Sequence, residues 1–195
     1  QCIDKVKLKK GVMMKNLFSV KGKVALVTGG SRGIGEMIAA GYLANGAKVY
    51  ISSRKAETCD ATAERLSKEY EGNCISIPAD LSNLDGIAAL VSKIKEDEGS
   101  LDILVNNAGA SWGEPIEEYS EKGWDKVMDT NVKGVFFLTQ KLLPLLKASG
   151  NAEDPARVIN IGSIDGIKTG LFDAFSYGPS KAALHHLTRV LAASL

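Results

Sequence analysis

The chain has 195 residues, of which 45% are hydrophobic, enough for the core of one globular domain. Its formal net charge is +1 with acids and bases interspersed, which argues against a nucleic-acid or membrane partner and favours small molecules and copies of itself. The three cysteines, Cys2, Cys59 and Cys74, lack Cys-x-x-Cys spacing, which argues against a disulfide framework and a zinc site.

The N-terminal segment, residues 1–15, is basic, has no apolar stretch of the kind found in secretion signals, and matches no helix or strand pattern. We expect it to be a tail. No apolar run in the sequence approaches the roughly 20 residues needed to cross a bilayer. Together with the reduced thiols that the cysteine spacing indicates, these features predict a cytoplasmic protein.

From residue 16 to residue 195, short apolar runs alternate with segments of helical periodicity, the pattern of a parallel sheet covered by helices. The runs rich in Val and Ile are predicted strands, buried on both faces, at 23–28, 48–53, 74–79, 101–106 and 157–162. Predicted helices span 34–44, 57–70, 84–95, 124–147 and 177–195. We therefore expect one α/β domain, a doubly wound parallel sheet of the Rossmann fold, with ligand-binding loops at 109–120 and 164–176.

A glycine-rich turn follows the first predicted strand and leads directly into the first predicted helix. Glycines let the backbone approach a pyrophosphate, which binds the free N–H groups and positive dipole of a helix N-terminus. A tight turn without a ligand is the plainer interpretation, but the order of strand, turn and helix favours a bound dinucleotide. The residues predicted to contact it are Gly29, Ser31, Arg32, Gly33, Ile34 and Gly35.

The end of the second predicted strand indicates which dinucleotide is bound. NAD-binding proteins place a carboxylate there to hold the ribose hydroxyls, whereas this chain has Ser52, Ser53 and Arg54. No carboxylate would repel a 2′-phosphate, and the guanidinium groups of Arg54 and Arg32 suit a phosphate dianion. These residues predict NADP(H), although Arg54 alone could be a solvated residue at a helix start.

Five motifs occur in a set order over residues 20–195. They are TGGSRGIG at 28–35, Ala79-Asp80-Leu81, Asn106-Asn107-Ala108-Gly109, Asn131 in a helix, and Ser163 followed by Tyr177 and Lys181. With these motifs the sequence resembles the short-chain dehydrogenase/reductase family of the Tyr-xxx-Lys type. The resemblance implies an oxidoreductase. Family members usually carry two more strands and a flexible lid, so we expect this chain to be C-terminally incomplete.

The resemblance also implies further cofactor contacts. Asp80 would contact the adenine amino group, and Leu81 would line the adenine pocket. Asn107, Ala108 and Gly109 would pass beside the adenosine ribose. Each has a plainer interpretation, because Asp80 could cap a helix and the Asn-Asn-Ala-Gly run could be a simple turn.

Tyr177 and Lys181 carry the predicted chemistry, because a spacing of four places both side chains on one helix face. A tyrosine hydroxyl ordinarily titrates near pH 10, so as a base at neutral pH it needs a nearby cation. We expect a hydride to pass between nicotinamide and a carbonyl carbon while Tyr177 gives or removes the proton of the oxygen. The resemblance implies that Ser163 hydrogen-bonds that oxygen and that Tyr177 and Lys181 also contact the cofactor, Lys181 at the nicotinamide ribose. It further implies that Asn131 supports a water linked to Lys181. Taken singly, each of the four has an ordinary structural interpretation.

Three stretches, at 111–113, 142–147 and 156–167, look most like bacterial NADPH-dependent β-ketoacyl reductases associated with rhamnolipid synthesis. We therefore expect reduction of a 3-oxoacyl thioester to a secondary alcohol, a step of fatty acid metabolism. The alternatives are a sugar, polyol or steroid alcohol dehydrogenase, a catalytically silent nucleotide-binding module, and a fragment that does not fold stably because a sheet edge is exposed.

Two further expectations concern partners and metals. The family pairs subunits through its long helices, here 124–147 and 177–195, which predicts a homodimer or homotetramer, although the apolar faces of these helices could equally be core. His185 and His186 have no further ligand at metal spacing, so we expect packed or interface histidines and no metal.

Overall fold

The computed structural model describes residues 18–169 and 173–195, so the predicted tail at 1–15 lies outside the described residues. Five strands form one sheet in the order β3-β2-β1-β4-β5, and all neighbours pair in parallel. The strands are β1 Val24–Thr28, β2 Lys48–Ser52, β3 Cys74–Ser76, β4 Ile103–Asn106 and β5 Arg157–Asn160.

Helices connect these strands, as parallel pairing requires. They are α1 Gly33–Ala44, α2 Ala56–Glu69, α3 Leu84–Asp97, α4 Glu121–Met128, α5 Gly134–Ser149 and α6 Tyr177–Ser194. A π-helical turn, Asp129–Lys133, joins α4 to α5, and short 3₁₀ turns occur at Ile116–Glu118 and Ile164–Gly166. The predicted α/β fold of Rossmann type is confirmed.

The two faces of the sheet form separate parts of the core, because side chains along a strand alternate in direction. Leu26 of β1 packs against apolar residues of α3 and α5. Its neighbours Ala25 and Val27 pack against α1 and α2 on the opposite face. Burial on both faces explains why β1, β2 and β4 are almost wholly apolar.

β5 departs from the prediction of a strand buried on both faces. It is an edge strand among the described residues, with Arg157 exposed and Ile159 38% exposed. β3 is also shorter than the predicted run at 74–79. Pro78 has no N–H to donate, so the regular ladder stops early, although the N–H groups of Ile77 and Ala79 still bond to β2 and Ser53 carbonyls.

The single helix predicted at 124–147 is wrong, because the structure has two helices separated by the π turn. α4 begins earlier than predicted, at Glu121, since the Ser120 hydroxyl caps it by accepting the Gly123 N–H at 3.2 Å. The wider turn follows where Asn131 binds the backbone of Ala110. Within 18–169 and 173–195, no helix is both long and apolar enough to span a membrane.

Candidate active site

A cavity of about 580 Å³ opens at the carboxyl end of the sheet, where the loops after β1, β2 and β4 meet. We call it the glycine-turn cavity. Its wall contains twelve of the predicted cofactor contacts, namely Gly29, Ser31, Arg32, Gly33, Ile34, Gly35, Arg54, Asp80, Leu81, Asn107, Ala108 and Gly109. Parallel strands end at one edge, so motifs far apart in sequence converge there.

The glycine turn has the backbone shape that an anion site needs. Gly29 and Gly33 have φ values of +64° and +56°, a region that side chains with a Cβ rarely adopt. α1 begins at Gly33, and its N-cap residue, Arg32, forms no side-chain cap hydrogen bond. The first N–H groups of α1 therefore remain available to a ligand in the cavity.

The Thr28 clasp, formed by Thr28 and the loop after β4, joins the glycine turn to that loop. The Thr28 hydroxyl accepts the N–H groups of Asn107 and Ala108, each at 3.0 Å. In return, the Asn107 amide donates to the carbonyls of Thr28 at 2.9 Å and Gly29 at 3.3 Å. These hydrogen bonds fix the position of Asn107 in the cavity wall.

Three cationic side chains lie in the wall of the glycine-turn cavity: Arg54 and Lys55 just after β2, and Arg32 in the glycine turn. Among the described wall residues, the one acidic side chain is that of Asp80. The Asp80 carboxylate accepts the backbone N–H and the hydroxyl of Ser82, at 3.0 and 2.8 Å. This end of the cavity can hold a phosphate dianion.

The plainer interpretation of Asp80, that it caps a helix, is wrong for α3. The cap is Asn83, whose side chain accepts the Gly86 N–H at 2.8 Å. Residues that sequence reasoning missed also line the cavity, among them Lys55, Thr58, Ala110 and Thr130. Thr58 could have been found, since it lies in the first turn of α2, shortly after the predicted contact Arg54.

Lys181 and Tyr177 lie together on the first turns of α6. The Lys181 side chain is 5% exposed, and its Nζ donates to the Ile161 carbonyl at 2.8 Å. Nζ lies 5.8 Å from the centre of the Tyr177 ring. Burial lowers the pKa of the Lys181 ammonium from its ordinary value. A buried cation beside a tyrosine ring can stabilise a phenolate.

Neither Tyr177 nor Lys181 lies in the described wall of the glycine-turn cavity, although both were predicted cofactor contacts. Lys181 nevertheless lies next to Gly109, which is part of that wall. A Cβ placed on Gly109 would be 3.8 Å from Lys181 Nζ and 3.5 Å from Asn131 Oδ1. The two side chains therefore converge on one glycine of the wall.

Asn131 is 1% exposed and ties the π turn to two other segments. Its Oδ1 accepts the Ala110 N–H at 2.8 Å, and its Nδ2 donates to the Ala110 carbonyl and to Ser180 Oγ, both at 2.9 Å. Ser180 Oγ in turn donates to the Tyr177 carbonyl at 2.7 Å. Asn131 thus bonds to backbone, as its plainer interpretation supposed, and also links the loop after β4 to α6.

Ser163 caps the 3₁₀ turn that follows β5, because its Oγ accepts the Asp165 N–H at 3.2 Å. Its plainer interpretation as a turn residue therefore agrees with the structure. The hydroxyl hydrogen of Ser163 remains able to donate to another oxygen. Ser163 itself is half-buried.

A second cavity, of about 490 Å³, has Tyr177 in its wall. We call it the Tyr177 cavity. Its apolar wall residues are Ile167, Ala174, Phe175, Pro179 and Ala182. Asp165, Lys168 and Thr169 add polar groups. The arrangement suits a ligand that is mostly apolar and carries one polar group to Tyr177.

The two histidines differ in environment. His185 is half-buried and its ring packs against the backbone of Gly162 and Gly166, where any Cβ would collide with it. His186 is exposed. Across the part of the chain that the structure describes, no group of three His, Cys, Asp or Glu side chains could hold a metal.

Comparison with known proteins agrees with this geometry. The profile of the family described as short chain dehydrogenase matches residues 23–195. The rhamnolipids biosynthesis 3-oxoacyl-[acyl-carrier-protein] reductase of Pseudomonas aeruginosa is 56% identical over 182 residues, which are 93% of this chain and 70% of that protein. Gluconate 5-dehydrogenase of Gluconobacter oxydans is 37% identical over 91% of this chain and 67% of that protein.

Solved structures show the same relationship. The Pseudomonas aeruginosa RhlG/NADP active-site complex superposes with a TM-score of 0.87 and 57% identity, over 91% of this chain and 69% of that chain. L-sorbose reductase from Gluconobacter frateurii, complexed with NADPH and L-sorbose, gives a TM-score of 0.84 and 29% identity, over 90% of this chain and 65% of that chain.

Proposed function

This chain belongs to the short-chain dehydrogenase family, and we propose that it is a member that reduces a 3-oxoacyl thioester to a secondary alcohol with NADPH. The predicted family is confirmed. The protein is an NADP-dependent oxidoreductase that acts on a small molecule. The observation that carries the choice of substrate is its 56% identity to a relative named for that reaction.

The residues at the glycine-turn cavity fit NADP(H). Two glycines with positive φ bring the backbone to the helix N-terminus, and the end of β2 presents Arg54 and Lys55 without a carboxylate. Arg32 faces the same space. A 2′-phosphate would meet cations there, whereas NAD lacks this phosphate.

We assign the proton-transfer step to Tyr177. NADPH, when bound, supplies the hydride that reduces the carbonyl carbon. Tyr177 gives its hydroxyl proton to the carbonyl oxygen, and the ammonium of Lys181 stabilises the phenolate that is left. Burial lowers the pKa of Lys181, which makes its ammonium a stronger acid than that of an exposed lysine. Ser163, whose hydroxyl hydrogen has no acceptor among the described residues, is proposed to orient the substrate oxygen.

We assign Asn131 a role in support of this group. Both hydrogens of its amide are used within the protein, by Ala110 and Ser180, and its Oδ1 faces the same side of Gly109 as Lys181. A water bound between Oδ1 and Lys181 Nζ would complete the predicted proton relay.

The Tyr177 cavity supports an acyl substrate, because its wall is largely apolar. A polyol or steroid alcohol is the second candidate, supported by relatives that are 37% and 35% identical and are named as a gluconate dehydrogenase and a hydroxysteroid dehydrogenase.

We also propose a homodimer or homotetramer formed through α4, α5 and α6, where Trp124, Phe136 and Val190 are exposed. A cytoplasmic location is proposed because Cys59 and Cys74 are free, buried thiols.

Two measurements test the proposal. An assay with NADPH and either an acetoacetyl thioester, gluconate-type sugar acids or a hydroxysteroid identifies the substrate class. Tyr177→Phe should retain NADPH binding, followed by cofactor fluorescence, and lose turnover by roughly 10²-fold or more. Tyr42→Phe, a change in α1 outside the two cavities, is the matched control. Undiminished turnover in Tyr177→Phe would reject the role of Tyr177.

A further inference from the structure

Tyr119 belongs to the loop after β4, and its side chain contacts the segment that precedes α6. Its hydroxyl oxygen is 2.6 Å from Ser176 Oγ and accepts the Ser176 N–H at 3.3 Å. The same hydroxyl donates to the Trp112 carbonyl at 3.2 Å. A tyrosine hydroxyl has one hydrogen, so with Trp112 as its acceptor the Ser176 hydroxyl is the donor of the 2.6 Å bond. One side chain therefore joins the two segments.

A second contact joins the same two segments without Tyr119. The Glu114 N–H donates to the Asp173 carbonyl at 3.2 Å. The Glu114 carboxylate also accepts the N–H and the hydroxyl of Ser120, at 2.7 and 2.8 Å, next to Tyr119. The loop that presents Tyr119 is thus held from both sides, and the Tyr119 hydroxyl has a defined position.

Ser176 connects the Tyr119 hydroxyl to the start of α6. It is fully buried and immediately precedes Tyr177, the first residue of the helix. Its carbonyl accepts the Ser180 N–H at 3.0 Å, and the Tyr177 N–H bonds back to the Ala174 carbonyl, also at 3.0 Å. A shift of Ser176 would therefore move the first turn of α6, and Tyr177 with it.

The ring of Tyr119 makes a separate contact. It packs edge-to-face against Phe175, with ring centres 5.5 Å apart and an interplanar angle of 84°. Phe175 is in the wall of the Tyr177 cavity. The hydroxyl of Tyr119 thus contacts the residue that precedes Tyr177, while its ring supports Phe175 in the wall of the Tyr177 cavity.

We propose that Tyr119 is a positioning residue for Tyr177: through Ser176, its hydroxyl holds Tyr177 in register with Lys181 and the substrate carbonyl. The inference rests on the proposed function, since it assumes that Tyr177 transfers the proton. Tyr119 is in the wall of neither described cavity, so it acts through its neighbours. Proton and hydride transfer depend steeply on placement, so a small shift of Tyr177 would slow turnover and leave cofactor binding intact.

Tyr119→Phe tests the hydroxyl alone, because it keeps the ring contact with Phe175. We expect kcat to fall about tenfold or more, with the KM for NADPH changed by less than about twofold. Tyr50→Phe is the matched control, because it also removes a hydroxyl bonded at 2.6 Å, to Glu98, in a core position outside both cavities. Its kcat should stay within about twofold of the parent at a temperature where both are folded.

Ser176→Ala removes the same hydrogen bond from the other side. The double variant with Tyr119→Phe should lose little more activity than Tyr119→Phe alone, because the hydrogen bond that Ser176→Ala breaks is one of those that Tyr119→Phe already breaks. If Tyr119→Phe does not fold, Ser176→Ala tests the proposal instead. It should lower kcat and leave the KM for NADPH nearly unchanged. Tyr119→Leu should additionally raise the KM of an acyl substrate, since the support for Phe175 is lost.

The inference is overturned if Tyr119→Phe has the same kcat as Tyr50→Phe, if its loss is additive with that of Ser176→Ala, or if only the KM for NADPH changes. Tyr177→Phe separates this failure from failure of the proposed function. Turnover retained in Tyr177→Phe rejects the proposed role of Tyr177, on which this inference rests. Turnover lost in Tyr177→Phe but normal in Tyr119→Phe rejects the positioning role alone.

Discussion

Gly35 lies so close to Gly29 that a Cβ on Gly35 would overlap the Gly29 carbonyl oxygen. The same Cβ would lie 2.5 Å from Asn107 Nδ2, the amide that bonds to the carbonyls of Thr28 and Gly29. The first turn of α1 is therefore packed against the backbone of the glycine turn and against the loop after β4. This close approach requires glycine at position 35.

Gly35→Ala should disrupt this contact. We expect the free energy of unfolding to fall by about 1–3 kcal/mol, as is usual for overpacking, and NADPH affinity to fall with it. Gly41→Ala, in the same helix with nothing within 4 Å of its Cβ, should instead stabilise the protein by up to about 1 kcal/mol. Urea unfolding and NADPH titration measure both effects. Similar behaviour of the two variants would refute the close-approach argument.

Arg54→Glu should change the choice between cofactors. Charge-assisted hydrogen bonds contribute about 1.5–3 kcal/mol, so NADPH affinity should fall by roughly 10- to 100-fold. NADH has no 2′-phosphate, so its affinity should change little. Arg189→Glu makes the same charge change on α6, outside the wall of the glycine-turn cavity. If both cofactors weaken by one common factor in Arg54→Glu, the assignment of the phosphate to this end of the cavity is wrong.

Lys181→Met should abolish turnover and change how stability depends on pH. Burial lowers the folded-state pKa of Lys181 below its ordinary value of 10.5, so the unfolded chain binds that proton more tightly. At pH below the lowered pKa, both states are protonated and the desolvation penalty is complete. Between the lowered pKa and 10.5, stability rises with pH as the buried group becomes neutral.

The stability of Lys181→Met relative to the parent should therefore be greater at pH 7 than at pH 10, measured by urea unfolding. Lys147→Met removes an exposed lysine of α5 and should show no such trend. A difference between parent and Lys181→Met that does not change with pH would show that desolvation does not set the protonation of Lys181.

The cofactor cavity could be predicted in detail because it is built from strand ends. A parallel sheet brings the residues after its strands to one edge, so the motifs and the end of the second predicted strand together identified twelve wall residues. Thr130 and Ala110 were missed, since they reach the cavity through the π turn and its contact with the loop after β4. The network of Tyr119 and Ser176 was missed for a similar reason, because it joins residues 57 apart in loops without periodicity.

The wrong prediction of a single helix at 124–147 also comes from a contact between segments distant in sequence. Apolar periodicity runs through 124–147 without a visible break, yet the helix is interrupted where Asn131 bonds to Ala110. A tertiary hydrogen bond of this kind leaves no pattern in the local sequence. By contrast, the early end of β3 could have been predicted from Pro78, whose missing N–H ends a regular ladder.

The Thr28 clasp has a consequence for how the protein folds. Thr28 and Asn107 are 79 residues apart, and their contact forms only when β4 pairs with β1 at the middle of the sheet. Contacts so distant in sequence form slowly, because a long loop must close first. A chain in which β4 has not paired with β1 has the glycine turn without its partner loop. NADP(H) would therefore bind the completed sheet in preference to the unfolded chain and raise its stability by mass action.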